Sequence, residues 1–233
     1  MVTETRRHWH DALASLEALV LNMGGLAEQA LTGAVLALVG GDLPMAERVI
    51  EGDDQIDEAY LAVERQALEL LALQTPVAVD LRLISAILHI NLHLERVGDI
   101  AVNIAKIYRA TRHLPPNATI LAHLQEMADI VRPMMRRALE AFARRDLASS
   151  LRLAGMDDRV DRLNRGMYRE VAKCAGNPLM LDWAIRMMVV SRQLERLGDH
   201  AVDIAEQVAF LITGQFREFS DASHPAVMET GGR

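Results

Sequence analysis

Hydrophobic residues recur three and four positions apart over long stretches of this chain, which is the spacing of one face of an α-helix. No window of six or more residues has the pattern of a strand. The sequence therefore predicts an all-α protein with six long helices. They cover roughly residues 5–39, 44–73, 75–110, 118–145, 146–175 and 178–213.

Short polar segments that contain Gly or Pro separate these helices. Thr75-Pro76 and Asn177-Pro178 each combine a short polar cap with a proline at the first helical position, so both predict a helix start. The segment 113–117 contains two prolines and predicts a linker between the first three helices and the last three. Residues 215–233 carry Ser, Pro and Gly and predict a flexible C-terminal tail.

An internal repeat gives the architecture. Residues 94–105 read LERVGDIAVNIA and residues 194–205 read LERLGDHAVDIA, with nine of the twelve positions identical. Residues 40–57 also align with residues 144–161 at an offset of 104. A repeat that includes several helices is a duplicated structural unit. We therefore expect two tandem three-helix bundles, in residues 1–113 and 114–214.

Composition narrows the functional classes. The net charge of −7 argues against nucleic acid as a partner, because binding to phosphates requires a basic surface. Cys174 is the only cysteine, which excludes an intrachain disulfide and fits a cytoplasmic protein. The N-terminus lacks the pattern of a signal peptide, and no uncharged stretch approaches the roughly 20 residues of a membrane span. We therefore expect that, if the protein acts at a membrane, it does so by binding a partner protein.

Four acidic pairs are the main candidates for chemistry, and each pair has its two residues four positions apart. Residues with this spacing lie on one face of a helix, one turn apart, where like charges repel each other. Measured from the predicted turns, both pairs of a half lie at nearly the same height on two antiparallel helices. The pairs are Asp53/Asp57 and Glu95/Asp99 in the first half, and Asp157/Asp161 and Glu195/Asp199 in the second.

If the acidic faces of the two helices point to the same side, four carboxylates gather at one level, which predicts a metal site in each half. Oxygen ligands suit hard cations such as Mg²⁺, Ca²⁺ and Mn²⁺, and also iron in carboxylate sites. Gly98 and Gly198 interrupt the motif helices, and we expect them to allow a close approach of a neighbouring helix. Four neighbouring residues can add oxygen ligands: Asp54, Asn103, Asp158 and Asp203.

The histidines near the motifs are weaker candidates. His89 and His93 point well away from Glu95 around the helix, so we expect them to face a neighbouring helix or solvent. His200 directly follows Asp199, and a ligand role for it is an alternative that the pattern does not favour. The Glu-x-x-His pattern of di-iron bundles, a phosphate-binding glycine loop and a catalytic Ser/His/Asp spacing are all missing.

The doubled LERxGDxAxxIA motif resembles that of the PhoU family of phosphate-uptake regulators. The paired DDxxD stretches and PVAVDLR at residues 76–82 carry the same likeness, which spans about residues 5–213. The resemblance implies two similar three-helix bundles and multinuclear metal clusters on the Glu/Asp-x-x-x-Asp motifs. Matched residue by residue, these clusters would fall on the eight acidic residues named above, with iron, manganese, magnesium or zinc as candidate ions.

The same resemblance implies a function without catalysis. Such proteins are cytoplasmic negative regulators of the phosphate-starvation response, which link the ATPase of a membrane phosphate transporter to a sensor histidine kinase, and many are homodimers. Two departures suggest that the metal sites differ: Arg162 stands where the first half has Glu58, and Asp203 where it has Asn103. Two other hypotheses stay open, namely a carboxylate-bridged metalloenzyme (a hydrolase or an oxidase) and a purely structural, partner-binding helical module.

Overall fold

Eight α-helices account for most of the part of the chain that the computed structural model describes, which is residues 2–73 and 76–219. No strand occurs in this part. The helices are α1 (Val2–Gly40), α2 (Leu43–Glu51), α3 (Asp53–Leu73), α4 (Ala78–Thr111), α5 (Ala118–Arg144), α6 (Leu147–Leu151), α7 (Ala154–Ala172) and α8 (Pro178–Thr213), and a short 3₁₀ turn covers Lys173–Gly176.

The helices form two similar bundles that lie side by side. In the first, α1 packs against α4 and α3, and in the second α5 packs in the same way against α8 and α7. The bundles meet where α4 packs along α8 and α1 contacts α5. The predicted fold class, two tandem helical bundles built from an internal repeat, is therefore confirmed.

The second and fifth predicted helices are each broken into a short and a long helix, which corrects the sequence-based boundaries. The first break is at Gly52, whose N–H bonds to the carbonyl of Arg48. The second lies at residues 152–153, after a short helix in which the Ser150 hydroxyl donates a hydrogen bond to the Asp146 carbonyl. Glycine and serine both weaken a helix, since glycine is conformationally free and serine competes for backbone hydrogen bonds.

The predicted helix starts are partly confirmed. Asn177 caps α8, because its side-chain oxygen accepts hydrogen bonds from the N–H groups of Leu179 and Met180. The third predicted helix begins two residues after Pro76, at Ala78. Val77, the residue before it, is extended and makes no side-chain cap. Thr75, the predicted cap, lies outside the described residues.

The sequence-based exclusion of a membrane-spanning segment is too strict. Arg7–Gly40 of α1 is long and apolar enough to cross a membrane by length and composition alone. Half of its most apolar window, however, is buried inside the protein. Leu16, Val20 and Met23 are completely buried, so the apolar side of α1 forms part of the hydrophobic core.

Two side chains of the PVAVDLR segment connect α4 to other helices. Asp80 accepts a 2.7 Å hydrogen bond from the indole nitrogen of Trp9 in α1. Arg82 donates a 3.3 Å hydrogen bond to the carbonyl of Leu211, near the C-terminal end of α8. The start of α4 is therefore tied to both bundles.

Only residues 215–219 of the predicted tail belong to the described residues. In this segment Phe216 stacks on Phe210 of α8, with ring centroids 3.8 Å apart. The N–H of Phe219 donates a hydrogen bond to the Glu206 carboxylate. Residues 220–233 lie outside the described part, so the flexibility of the tail stays a prediction.

Candidate metal centres

The first carboxylate centre combines Asp53 and Asp57 of α3 with Glu95 and Asp99 of α4. Burial raises the pKa of Asp53, and the charges of Asp57 and Asp99 raise it further. Burial also raises the pKa of Glu95, with added contributions from the other three carboxylates. The structure thus brings all four residues together, which their nearly equal distances from the predicted turn allow.

The second carboxylate centre combines Asp157 and Asp161 of α7 with Glu195 and Asp199 of α8. Burial raises the pKa of Glu195 to about 7, and Asp199 and Asp161 add to this effect. Burial raises the pKa of Asp199 as well, together with the charges of Asp161 and Asp203. The Asp157 carboxylate lies beside Gly198, the residue before Asp199, so these four residues also come together.

Both motif glycines lie where a neighbouring helix comes close, which confirms their predicted role. A Cβ at Gly198 would collide with a carboxylate oxygen of Asp157. A Cβ at Gly98 would lie 2.9 Å from the side chain of Ile56. Glycine at these positions lets α7 and α3 pack directly against the motif helices. In the second centre the glycine also makes room for a carboxylate.

The two centres differ in burial. Asp157, Asp161 and Glu195 are only 2%, 5% and 7% exposed. In the first centre Asp57 and Asp99 are exposed, whereas Asp53 and Glu95 are intermediate. The first centre therefore lies at the surface, whereas three of the four carboxylates of the second centre are buried and Asp199 is half-buried.

Arginines of the chain neutralise part of the charge at each centre. In the first, Arg96 contacts Glu95 at 3.3 Å and Asp99 at 3.2 Å. In the second, Arg192 donates a hydrogen bond to Glu195, and Arg165 lies 3.4 Å from Asp161. The repeat places leucines, Leu92 and Leu61, at the positions that correspond to these two arginines. The second centre thus carries two cationic side chains that the first lacks.

The four residues that were predicted to add oxygen ligands lie in different surroundings. Asp54 is exposed, and its charge raises the pKa of Asp53. Asn103 is exposed and lines a surface cavity with Asp53 and Asp99. Asp158 follows Asp157 in α7 and is half-buried. The charge of Asp203 raises the pKa of Asp199, and the Asp203 side chain also contacts two histidines.

The donor set and its electrostatics fit hard cations. Each centre holds four carboxylates, and neighbouring negative charges raise the pKa of two of them, so a divalent cation would relieve that repulsion. Glu195 adds a second observation: its Oε2 is buried and accepts no hydrogen bond from any residue that the structure describes. A buried acceptor without a donor is costly, and a cation is one group that would satisfy it.

Sequence reasoning missed a contact between histidines of the two bundles. His89 is exposed and its ring bonds to the Ser85 carbonyl, which agrees with the prediction that it faces solvent. His93 faces the neighbouring helix, also as predicted, but there it meets His200 and Asp203 of α8. The repeat contained a signal for this contact, because His93, His200 and Asp203 all differ from their counterparts in the other half.

The family of the chain follows from comparison with known proteins. The family model of the PhoU domain matches the chain twice, at residues 20–108 and 124–208. The chain belongs to the PhoU family. The two matches fall in the two bundles, so the duplication seen in the sequence is a duplication of the PhoU domain.

Individual PhoU proteins match nearly the whole chain. The phosphate-specific transport system accessory protein PhoU homolog of Caulobacter vibrioides is 33% identical over 216 residues, which cover 92% of this chain and 94% of the relative. The crystal structure of PhoU from Pseudomonas aeruginosa matches with a TM-score of 0.85 and 33% identity, over 89% of this chain and 100% of that chain. The phosphate transport system regulatory protein PhoU of Streptococcus pneumoniae gives a TM-score of 0.81 and 26% identity, over 90% and 99%.

Membership of the PhoU family also decides between a non-enzymatic accessory protein and a metalloenzyme. PhoU proteins are accessory proteins and not enzymes. The prediction that this chain is not an enzyme is therefore confirmed, and the metalloenzyme hypothesis is set aside.

Proposed function

We propose that this chain is a metal-binding regulator of phosphate uptake that represses the phosphate-starvation response. In this proposal it acts in the cytoplasm, as a homodimer, between the ATPase subunit of a phosphate ABC transporter and a sensor histidine kinase. Family membership supports the link to phosphate transport, since relatives that match along at least 90% of their own length are named phosphate-specific transport system accessory proteins.

The duplicated carboxylate centre is the observation that carries the metal-binding part of the proposal. Within the two groups of four carboxylates, neighbouring negative charges raise the pKa of Asp53, Glu95, Glu195 and Asp199. Three of the four carboxylates of the second group are buried. A purely structural module would gain nothing from such repulsion, which costs stability at neutral pH. The cations would be held by Asp53, Asp57, Glu95 and Asp99 in one bundle and by Asp157, Asp161, Glu195 and Asp199 in the other.

Metal in these centres supplies positive charge that cross-links neighbouring helices. Gly98 and Gly198 let the helices approach each other. The arginines that contact the carboxylates reduce the net negative charge of each centre. The partner-binding surface would then keep one shape as long as the centres are filled. The free buried thiol of Cys174 is consistent with a reducing compartment.

Deletion of the gene in its own host tests the regulatory role. We expect phosphate uptake and alkaline phosphatase activity to rise in phosphate-rich medium, and to return to normal when the wild-type gene is restored. Unchanged uptake and phosphatase activity in the deletion strain would contradict the proposal.

Complementation with variants connects regulation to the carboxylate centres. An Asp99→Asn/Asp199→Asn variant should fail to restore repression. A Glu69→Gln/Asp182→Asn variant removes one exposed charge from each bundle away from the centres and should restore it. Full repression by the Asp99→Asn/Asp199→Asn variant would show that regulation does not depend on the centres.

A further inference from the structure

A second kind of cluster lies where the two bundles meet, between α4 and α8. We call it the seam cluster, and it consists of His93 of α4 with His200 and Asp203 of α8. The Nδ1 atoms of the two histidines are 3.2 Å apart. The Asp203 carboxylate lies 3.4 Å from Nδ1 of His93 and 3.6 Å from Nδ1 of His200. Three metal-ligand atoms thus form a small triangle.

We propose that the seam cluster is a third metal site, which takes a divalent transition-metal ion of the zinc class and joins the two bundles. Imidazole nitrogens suit borderline ions such as Zn²⁺, whereas the all-oxygen carboxylate centres suit harder ions. Two imidazoles and one carboxylate with a fourth position left to water form a ligand set that binds zinc in other proteins. The inference goes beyond the proposed function and does not depend on it.

The size of the triangle fits one four-coordinate ion. Ligand atoms at about 2.0–2.1 Å from a tetrahedral ion lie about 3.3 Å from one another. The three distances in the seam cluster range from 3.2 to 3.6 Å. An ion about 2 Å from each atom would therefore lie just outside their plane, with its fourth position free.

The sequence repeat contains a counterpart of the seam cluster that has neither the two histidines nor the carboxylate. At the repeat offset of 100, Gln193 corresponds to His93, Ile100 to His200 and Asn103 to Asp203. These three counterparts lie together as well, since all of them line one surface cavity. Two of the only three differences between the twelve-residue motifs fall on residues of the seam cluster.

The cluster is sheltered but open to an ion. The side chains of His93 and His200 are 19% and 14% exposed, whereas that of Asp203 is 42% exposed. An ion can therefore reach the histidines from the side of Asp203.

Cobalt titration of the full chain tests the proposal, because four-coordinate Co²⁺ with nitrogen ligands has intense visible absorption. The metal-free protein is titrated with Co²⁺ in excess Mg²⁺, which competes with Co²⁺ for any oxygen-only site. We expect one absorbing Co²⁺ per chain, displaced by Zn²⁺. The variants His93→Gln, His200→Ile and Asp203→Asn introduce the residues of the internal counterpart, and each should weaken binding at least about 100-fold.

Two controls make the result specific. His89→Gln removes an exposed histidine one turn away on the same helix and should leave binding unchanged. Asp99→Asn/Asp199→Asn should keep the Co²⁺ absorption, so failure of the carboxylate centres cannot be confused with failure of the seam cluster. Circular dichroism checks that each variant is folded. Absence of absorption in the wild type, or its survival in the folded seam variants, would overturn the proposal.

Discussion

Glu195 is the residue in which burial and charge act together on one carboxyl group. It is 7% exposed, and burial together with Asp199 and Asp161 raises its pKa from 4.5 to about 7. Arg192 donates a hydrogen bond to one oxygen and lowers the pKa, but burial outweighs this effect. In the metal-free protein, Glu195 is thus protonated well above the pH at which an exposed glutamate ionises.

This pKa predicts how stability depends on pH. Because the folded pKa lies above the unfolded value, the contribution of Glu195 to the free energy of unfolding is fully present below pH 4.5 and is lost as the pH rises through about 7. Glu195→Gln has no such titration, so its stability should fall less between pH 5 and pH 8. Urea unfolding of the metal-free proteins at the two pH values measures the difference, and equal losses in variant and wild type would contradict the assignment.

Arg192 supplies a second prediction at the residue scale. Its guanidinium competes with a cation for Glu195, whereas the corresponding residue of the first bundle is Leu92. Arg192→Leu should therefore raise the affinity of the second centre for Mn²⁺ by about tenfold, the effect of roughly 1.4 kcal/mol. Isothermal titration calorimetry measures it, with Arg186→Leu, an exposed arginine of the same helix, as control. Unchanged or weaker binding would show that Arg192 does not compete with the cation.

The residues of the carboxylate centres could be predicted because their spacing alone places them on one helix face. Spacing does not give the rotation of one helix against the next, so the difference in burial between the centres could not be predicted. The contact between His93 and His200 depends on the packing of two bundles, which no periodicity within a helix describes. Only the mismatch between the two repeats pointed to that contact.

At the scale of the elements, Gly198 allows α7 and α8 to pack closely. Gly198→Ala would place a methyl group against the buried Asp157 carboxylate, so we expect a loss of about 1–3 kcal/mol in the free energy of unfolding. Gly166→Ala in α7 is the matched control, since nothing lies within 4 Å of its added Cβ, and it should stabilise by about 0.4–1 kcal/mol. Urea unfolding measures both. A stabilising effect of Gly198→Ala would contradict the close packing.

Helix positions could be predicted where caps are strong and less well where they are weak. Asn177 followed by Pro178 gave the start of α8 correctly, because the side chain satisfies two backbone N–H groups. The breaks at Gly52 and at residues 152–153 were missed, because a single Gly or a pair of serines is tolerated inside many helices. Tertiary packing decides between a continuous and a broken helix at such positions.

At the scale of the whole molecule, the net charge of −7 and the two acidic centres predict that divalent cations stabilise the fold. A cation that binds only the folded chain adds about 2.7 kcal/mol at a concentration of 100 times its Kd. For a chain of this size that is a rise of about 5–10 °C in Tm. Thermal unfolding with and without Mn²⁺ measures the rise, and EDTA should reverse it.

The Asp99→Asn/Asp199→Asn variant is the control for this experiment. Its Tm should respond less to Mn²⁺, because one carboxylate of each centre has lost its charge. An equal rise in Tm in variant and wild type would assign the stabilisation to general screening of the acidic surface.

The metal content of the purified protein tests the central claim most directly. Native protein purified without chelator, dialysed and analysed for all transition and alkaline-earth metals, should retain at least one ion in each carboxylate centre. The Asp99→Asn/Asp199→Asn variant, treated in parallel, should lose most of that metal. Equal metal contents in the two proteins, or none in either, would contradict the claim that these carboxylates are metal ligands.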